Sequence, residues 1–398
     1  MGSTLVLDAN ARHGVVAIRS LGARGVDVTA GSASRWSAGG FSRHVDRHVV
    51  FPSPENDPSG FVRDVEAEVR ARDYDMLLPI SEATVEVVSE HRDRFEPATT
   101  LPFPPEEQLA VGVNKRRTVE AAREHDVPHP ETVLPGEGGI DAAVDRLGYP
   151  VVVKTQRGEG GNGTAVCHTR RELEYRTRDL RASHGPVIFQ EFVPNGGERG
   201  VYTLYGAPGE LTALTVQQRL RTRPPSGGAS TYRETVVDPE LVELADEFLA
   251  ALDWYGLAMV EFRVDARTGE PQLLEINPRL WGSLALSVYA GVNFPYLLYR
   301  VAVGDEPEPD LEYDVGVQAR CLFTDALQVL DREDTLTAVR EFVTPASKPC
   351  CYDLVSRSDP LPALGQVLYW ASVYLDDEVE DDDEGPEAVL PEVPIPKR

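Results

Sequence analysis

Residues 257–283 read LAMVEFRVDARTGEPQLLEINPRLWGS, and this stretch constrains the chain more than any other. Two apolar runs, 257–264 and 271–277, flank the turn signal Asp265-Ala266-Arg267-Thr268-Gly269. That is the pattern of a β-hairpin. Side chains alternate across a strand, so Glu261 and Arg263 share one face of the first strand, with Phe262 and Val264 on the other. On the second strand Glu275, Asn277 and Arg279 share a face, and Leu274 and Ile276 are expected in the core. The hairpin thus brings two carboxylates, an amide and a guanidinium to one place. Carboxylate and amide oxygens are hard ligands suited to Mg²⁺, which stays partly hydrated and bridges phosphates. The plain alternative is an amphipathic hairpin with a solvated acidic face.

The surrounding composition narrows the setting. A length of 398 residues suggests two to four domains, and 41% apolar residues suffice for their cores. The formal net charge of −26 disfavours a bare nucleic-acid binder, which needs a basic field. Lysine is confined to Lys115, Lys154, Lys348 and Lys397, and every other fixed cation is arginine. An acidic, arginine-over-lysine chain is expected in the cytoplasm of a halophile, where charge maintains solubility in concentrated salt. Cys167, Cys321, Cys350 and Cys351 show no CxxC spacing, so neither a zinc site nor a disulfide framework is indicated. No leader-like opening and no membrane-length apolar run is present, so a cytoplasmic protein is expected.

Read in order, 4–8, 26–30 and 76–80 are short strand patterns, with helical patterns at 15–21, 61–72 and from about 82. Strands alternating with helices imply a parallel α/β sheet that binds ligands beyond its strand ends. Its candidate loops are 8–14 and 79–82. After a Pro-rich link at 101–106, Asn114-Lys115 opens a helix, and a strand at 151–154 leads to Gly158-Glu159-Gly160-Gly161-Asn162-Gly163. This formally contains GxGxxG, but a strand pattern follows at 164–168 where the dinucleotide motif requires a helix. A strand–glycine loop–strand is a flap whose bare amides can close over phosphates. Next come Gln190-Glu191-Phe192-Val193, Glu198, strands at 200–205 and 211–218, and Arg219, Arg221 and Arg223 at period two. Period two would put the three arginines on one strand face, facing substrate or salt-bridged to the acidic surface. Beyond the hairpin, 315–323 reads as a strand, and 336–343 and 364–375 as helices.

In this order, Asn114-Lys115, the strand to Lys154 with its glycine flap, Gln190–Val193 with Glu198, Glu261, and Glu275-Ile276-Asn277-Pro278-Arg279 together resemble the ATP-grasp superfamily over about residues 110–305. The 219–230 stretch and Trp281-Gly282-Ser283 are similar to its predicted carboxylate–amine ligases or carboligases. The resemblance implies an α/β (α+β) fold. Its parts would be an N-terminal Rossmann-like domain at 1–107, a small subdomain with the flap at 108–190, a large subdomain with the metal-binding hairpin at 191–305, a C-terminal α/β extension at 306–375 and an acidic, disordered tail at 376–398.

The resemblance also implies roles. Lys115 and Lys154 would contact the nucleotide phosphates. Gly158, Gly160, Gly161 and Gly163 would form the phosphate flap. Glu191 and Val193 would face adenine, with Phe192 beside it, and Glu198 would accept the ribose hydroxyls. Glu261, Glu275 and Asn277 would hold two Mg²⁺ ions, with Mn²⁺ as a substitute. Arg279, Arg221 and Lys154 would be catalytic, with substrate recognition falling to the N-terminal loops, Arg219, Arg221, Arg223 and the segment near Ser283. Two of the four lysines fall on the two phosphate positions, where a compact ammonium fits and a planar guanidinium does not. The implied reaction is ADP-forming ligation: ATP converts a small carboxylate to an acyl phosphate, which an amine then captures. Expected partners are those small molecules, without nucleic acid or membrane, and a homodimer is the assembly to test for. The alternatives are a carboligase or phosphotransferase acting on a non-carboxylate substrate, or a nucleotide-binding regulatory protein.

Overall fold

The computed structural model describes residues 2–158, 163–224, 227–332, 334–344, 346 and 348–376. The expected flap positions Gly160 and Gly161, and the expected tail beyond Asp376, lie outside them. Three sheets follow one another along the chain.

The first sheet comprises β1 (Ser3–Val6), β2 (Asp27–Ser32), β3 (Arg47–Val50) and β4 (Met76–Leu78) in the order β3-β2-β1-β4, all parallel. Buried Leu5, Val6, Leu77 and Leu78 give the strands the apolar runs that a sheet covered on both faces demands. Helix Pro58–Ala71 is capped by Asp57, whose side chain accepts from the Gly60 amide, and buries Phe61, Val62, Val65 and Val69, the helical face expected from sequence. β3 escaped prediction because it is a polar edge strand, Arg47-His48-Val49-Val50. The strand order reverses direction between β1 and β4, and this opens a crevice above their carboxyl ends. Asp8, in the left-handed region at φ 51°, floors it. Its carboxylate accepts from the Ile80 amide (3.2 Å), the Ser81 amide (2.9 Å) and the Thr84 hydroxyl (2.5 Å), joining the two loops singled out from sequence.

The second sheet comprises β5 (Thr132–Val133), β6 (Val151–Thr155), β7 (Thr164–Cys167) and β8 (Val187–Glu191), antiparallel in the order β5-β8-β6-β7. The glycine loop joins β6 to β7 as a hairpin, so a strand does follow it. Val151, Val153, Leu173, Leu180, Val187 and Phe189 build the core beneath.

The third sheet carries β9 (Asn195–Ala207), β10 (Glu210–Arg223), β11 (Ala229–Thr235), β12 (Gly256–Asp265), β13 (Pro271–Asn277), β14 (Gln318–Arg320) and β15 (Cys350–Tyr352), in the order β13-β12-β9-β10-β11-β14-β15. One face packs Val201, Val216, Val260, Phe262 and Ile276 on Leu241, Ala245, Phe248 and Leu249 of helix Pro239–Ala251. The other packs Tyr202, Leu204, Leu257 and Met259 with Trp281, Phe294 and the buried side of helix Arg12–Gly22. The first and third sheets therefore share one core.

The C-terminal segment extends the third sheet. The strand expected at 315–323 is only Gln318–Arg320, and helix Leu322–Leu330 starts straight after Cys321. Buried ion pairs fasten the segment. Asp353 (2% exposed) takes both outer nitrogens of Arg233 (1% exposed) and lies 3.8 Å from Arg12. Asp359 accepts from Arg19 (2.8 Å), the Ser42 hydroxyl (2.8 Å) and the Arg43 amide (3.0 Å). The segment thus ties the third sheet to the first. Among the described residues no helix is long and apolar enough to cross a membrane.

Asp353→Ala leaves the Arg233 guanidinium buried without its counter-charge. Breaking a buried pair from one side costs about 3–5 kcal/mol, so denaturant unfolding in molar salt should show a loss of that size.

Candidate active site

The site is assembled where the edge of the third sheet meets the second. Glu261 on β12 lies directly opposite Glu275 on β13, and Asn277 lies opposite Met259. The pleat puts both carboxylates on one face, as expected. Past Glu261 the register slips, and Phe262 pairs with Leu273. Leu273 therefore enters the core and Leu274 stays partly exposed, which corrects the expectation for Leu274.

Like charges directly across a strand pair repel, and cations from several elements offset them. From β10, Arg219 donates to Glu261 at 2.5 Å and to Glu198 at 2.9 Å, while Arg263 holds the other Glu198 oxygen. The Lys115 ammonium is 3.7 Å from Glu275, whose other oxygen accepts from the Asn277 amide at 3.2 Å. Arg279 donates to the Asn277 side-chain oxygen at 3.2 Å and to the Leu280 carbonyl at 3.0 Å.

Lys115 and Lys154 come from the second-sheet side. Asn114 caps helix Lys115–Glu124, accepting from the Arg116 (3.0 Å) and Arg117 (3.4 Å) amides. The Lys115 amide donates to the Gln156 carbonyl (2.8 Å) and its ammonium to the Gly158 carbonyl (2.6 Å), which fixes the helix start against the end of β6. In the Asn-Lys pair, then, the asparagine is the structural half and the lysine the site half. Lys154 on β6 is half-buried. Burial, with the nearby Lys115 charge and against the pull of Glu275, lowers its pKa to about 8.

The carboxylates split in the same field. Burial, with the Glu275 and Glu198 charges and against Arg219, raises Glu261 to about 7. Burial also pushes Glu275 up, but Lys115, the Asn277 hydrogen bond and Lys154 outweigh it and leave its pKa lowered. Burial opposes the charge on Arg219, yet Glu261 and Glu198 raise its pKa. Among the described residues no cluster of three His, Cys, Asp or Glu side chains forms. Buried Glu261, half-buried Glu275 and the Asn277 amide oxygen are donors that fit Mg²⁺, and so short a set leaves positions for water and phosphate oxygens.

The remaining expected residues lie around this centre. Gly158 and Gly163, both at positive φ, flank the loop, and a Cβ on Gly163 would meet the Thr155 hydroxyl at 2.2 Å. Glu191 ends β8, its carboxylate 2.7 Å from Arg267; Phe192 and buried Val193 continue towards β9 and Glu198. Arg221 is a correction. Asp325 holds it bidentately at 2.8 and 2.5 Å, and Asp325 also takes Arg320 and the Thr231 hydroxyl, so the Arg221 guanidinium is committed to the C-terminal segment and not to the paired glutamates. Arg223 likewise pairs with Asp331. The period-two argument failed because the β10–β11 register shifts between Arg219 and Arg221 and again before Thr222, which breaks the alternation.

Glu82, at the end of the candidate loop 79–82, and Glu86, which the sequence did not single out, reach the base of the glycine loop: the Gly158 amide lies 3.4 Å from Glu82, and Arg157 2.9 Å from Glu86. Arg12, within the candidate loop 8–14, donates to the Gly282 carbonyl at 2.9 Å and brings that loop against the segment that follows the hairpin.

Comparison with known proteins agrees with this geometry. Residues 186–321 match the family described as ATP-grasp in the biosynthetic pathway with Ter operon, and residues 114–189 match the ATP-binding domain of the carbamoyl-phosphate synthase L chain. The chain is 30% identical over 200 residues to the carbamoyl phosphate synthase large chain of Methanothermobacter thermautotrophicus, covering 46% of this chain and 19% of that protein. It is 30% identical over 213 residues to the D-alanine–D-alanine ligase of Chromohalobacter salexigens, covering 48% of this chain and 65% of that protein. It therefore spans less than two thirds of either relative. The crystal structure of a biotin carboxylase β-γ-ATP complex from Campylobacter jejuni superposes with a TM-score of 0.66 at 17% identity, covering 79% of this chain and 74% of that one. With the fold and two adjoining family matches in agreement, the chain belongs to the ATP-grasp superfamily.

Proposed function

We propose that the chain is an ADP-forming ligase that uses ATP to activate a small-molecule carboxylate and joins it to an amine. One observation carries this reading: Lys115 at a helix start and Lys154 on β6 converge on the paired carboxylates Glu261 and Glu275 of the third sheet. In this reading Lys115 and Lys154 would take phosphate oxygens, and the hairpin oxygens of Glu261, Glu275 and Asn277 would hold Mg²⁺. Bound there as two ions, with Mn²⁺ as a substitute, the metal neutralises charge on the transferring phosphate. Arg219, which here balances Glu261, must give up that carboxylate when the site is loaded. In this reading Glu198, held by Arg219 and Arg263, takes the ribose, and Glu191, Phe192 and Val193 take the base.

The chemistry asks for positioning and charge neutralisation rather than a protein nucleophile. An oxygen of the substrate carboxylate attacks the γ-phosphorus and the bond to the β-phosphate oxygen breaks, giving an acyl phosphate and ADP. The amine nitrogen then attacks the acyl carbon, the carbon–oxygen bond to phosphate breaks, and nitrogen loses a proton as phosphate leaves. Arg279, beside Asn277, is placed to hold the carboxylate and its phosphate as a guanidinium fork can. The acidic, arginine-rich composition supports a cytoplasm of high salt as the setting.

The test is interception. Hydroxylamine at molar concentration, with Mg-ATP and a panel of amino acids, dicarboxylates and small acids, should give a hydroxamate and ADP. AMP with pyrophosphate, or ADP without a trappable acyl group, would sink the reading.

Lys154→Ala and Glu275→Ala should each abolish the hydroxamate while thermal melts stay close to the parent's. Loss of the fold together with activity would instead make these groups structural.

Arg221→Ala should behave differently. It removes one hydrogen-bonded cation from Asp325, worth about 2 kcal/mol of stability, and should leave the KM for ATP within about threefold, since Asp325 and not substrate engages it. A large rise in substrate KM without a stability change would return Arg221 to the active site.

A further inference from the structure

Beside Glu198 a cleft opens whose far wall belongs to the C-terminal segment. It encloses about 320 Å³, the low end of the range for small-molecule sites. The start of β9, around Glu198, and residues 219–222 of β10 form one side; Gln328, Arg332 and Glu341 form the other. Gln328 is 5% exposed, and its amide makes no hydrogen bond among the described residues. The amide is not sealed inside the protein, however; it borders the cleft. A buried amide that uses neither its donors nor its acceptor is rare in native proteins. Nothing within the chain engages this one, so its partner has to come from the cleft.

The place of Gln328 is set by its neighbours rather than by the amide itself. Helix Leu322–Leu330 is held to the sheet by Asp325, which takes Arg221, Arg320 and the Thr231 hydroxyl. Residues three apart lie on one helix face, so Gln328 follows Asp325 one turn along the same face. The charged groups of the cleft are already matched. Arg219 holds Glu198 and Glu261, Arg221 holds Asp325, and Arg332 holds Glu341 and Asp334. An anion would have to displace one of these carboxylates, and a cation one of the guanidiniums. An uncharged group bearing hydroxyls meets neither cost. It can donate to the Gln328 carbonyl and accept from the Gln328 NH₂. Each Glu198 oxygen takes one guanidinium N–H, from Arg219 or Arg263, and keeps a lone pair for a hydroxyl. Leu220, 39% exposed, adds an apolar surface on which the carbon face of a sugar ring can pack.

Strand register sets which end of a nucleotide the cleft can meet. Glu261 pairs with Gly200 of β9, two residues, or about 7 Å, along the strand from Glu198. Gln217 of β10 also pairs with Gly200, and Gln218 with Arg199. Residues 219–222 therefore continue past Glu198, away from the paired glutamates. With phosphates at the glutamates, the sugar falls beside Glu198 and its hydroxyl edge turns towards Gln328.

We propose that Gln328 is a nucleotide-binding residue whose amide pairs a ribose hydroxyl of ATP across the cleft from Glu198. The C-terminal segment is then a wall of the nucleotide site as well as an extension of the third sheet. The assignment rests on the ligase reading, in which Glu198 takes the ribose.

The experiment compares ATP, 2′-deoxy-ATP and 3′-deoxy-ATP, each with Mg²⁺, binding to the full chain by calorimetry in molar salt. The proteins are the parent, Gln328→Leu and Gln328→Met. In the parent, loss of at least one hydroxyl should weaken binding by about 3–10-fold, as for a hydrogen bond lost. Gln328→Leu should weaken ATP by a similar factor. It should leave the affinity for that deoxynucleotide within about twofold, because the two changes remove the same contact. Both variants, free of nucleotide, should melt no lower than the parent, since the amide is unpaired in the free protein. Equal weakening of all three nucleotides, or no weakening of ATP, in whichever variant folds would overturn the assignment. So would failure of both variants to fold, which would make the amide structural. The ribose at Glu198 would survive those results. A parent indifferent to both hydroxyls would remove the ribose from Glu198, and this assignment with it. A parent that binds none of the three would sink the ligase reading itself.

Discussion

The structure depends on a repulsion and its remedy. Glu261 and Glu275 face each other across two paired strands, partly removed from water, where two carboxylates cannot both stay ionised without compensation. The compensating cations belong to different parts of the chain: Arg219 to β10, Lys115 to a helix start, Lys154 to β6. Each supplies charge only while its own element keeps its place. The docking of the second sheet on the third, the cap at Asn114 and the bond from Lys115 to the glycine loop thus serve one electrostatic requirement.

Charge also explains why the two carboxylates differ. Glu275 lies on the lysine side, where two ammonium groups and an amide hold it ionised; Glu261 lies deeper and leans on Arg219 alone, so burial pushes it up to about 7. A pair of titratable groups driven apart by their surroundings marks a functional place more often than a structural one.

Much of this was legible in the sequence because strand alternation is a strict rule. The period of two placed Glu261, Glu275 and Asn277 on one face, and the strand pattern after the glycine loop separated a flap from a dinucleotide motif. The failures came where that period is interrupted. One slipped residue exchanged Leu273 for Leu274 in the core, and two register shifts sent Arg221 to Asp325 while Arg219 stayed in the site. No local signal announces such a shift. Short strands such as β15 carry too few residues for any period, and Arg12 acquires meaning only when the distant Gly282 comes to rest against it.

The C-terminal segment has one further effect. A long sheet whose last strand is β11 would present seven residues of unpaired backbone to solvent, a template on which a second chain could add. β14 covers three of those positions and β15 covers β14, each strand only three residues long. The exposed margin is thereby cut to a length too short to recruit another strand, with the buried Arg233–Asp353 pair behind it as the pin. Salt screens repulsion between charged molecules, whereas this blunting of the sheet edge acts through backbone geometry and does not depend on charge.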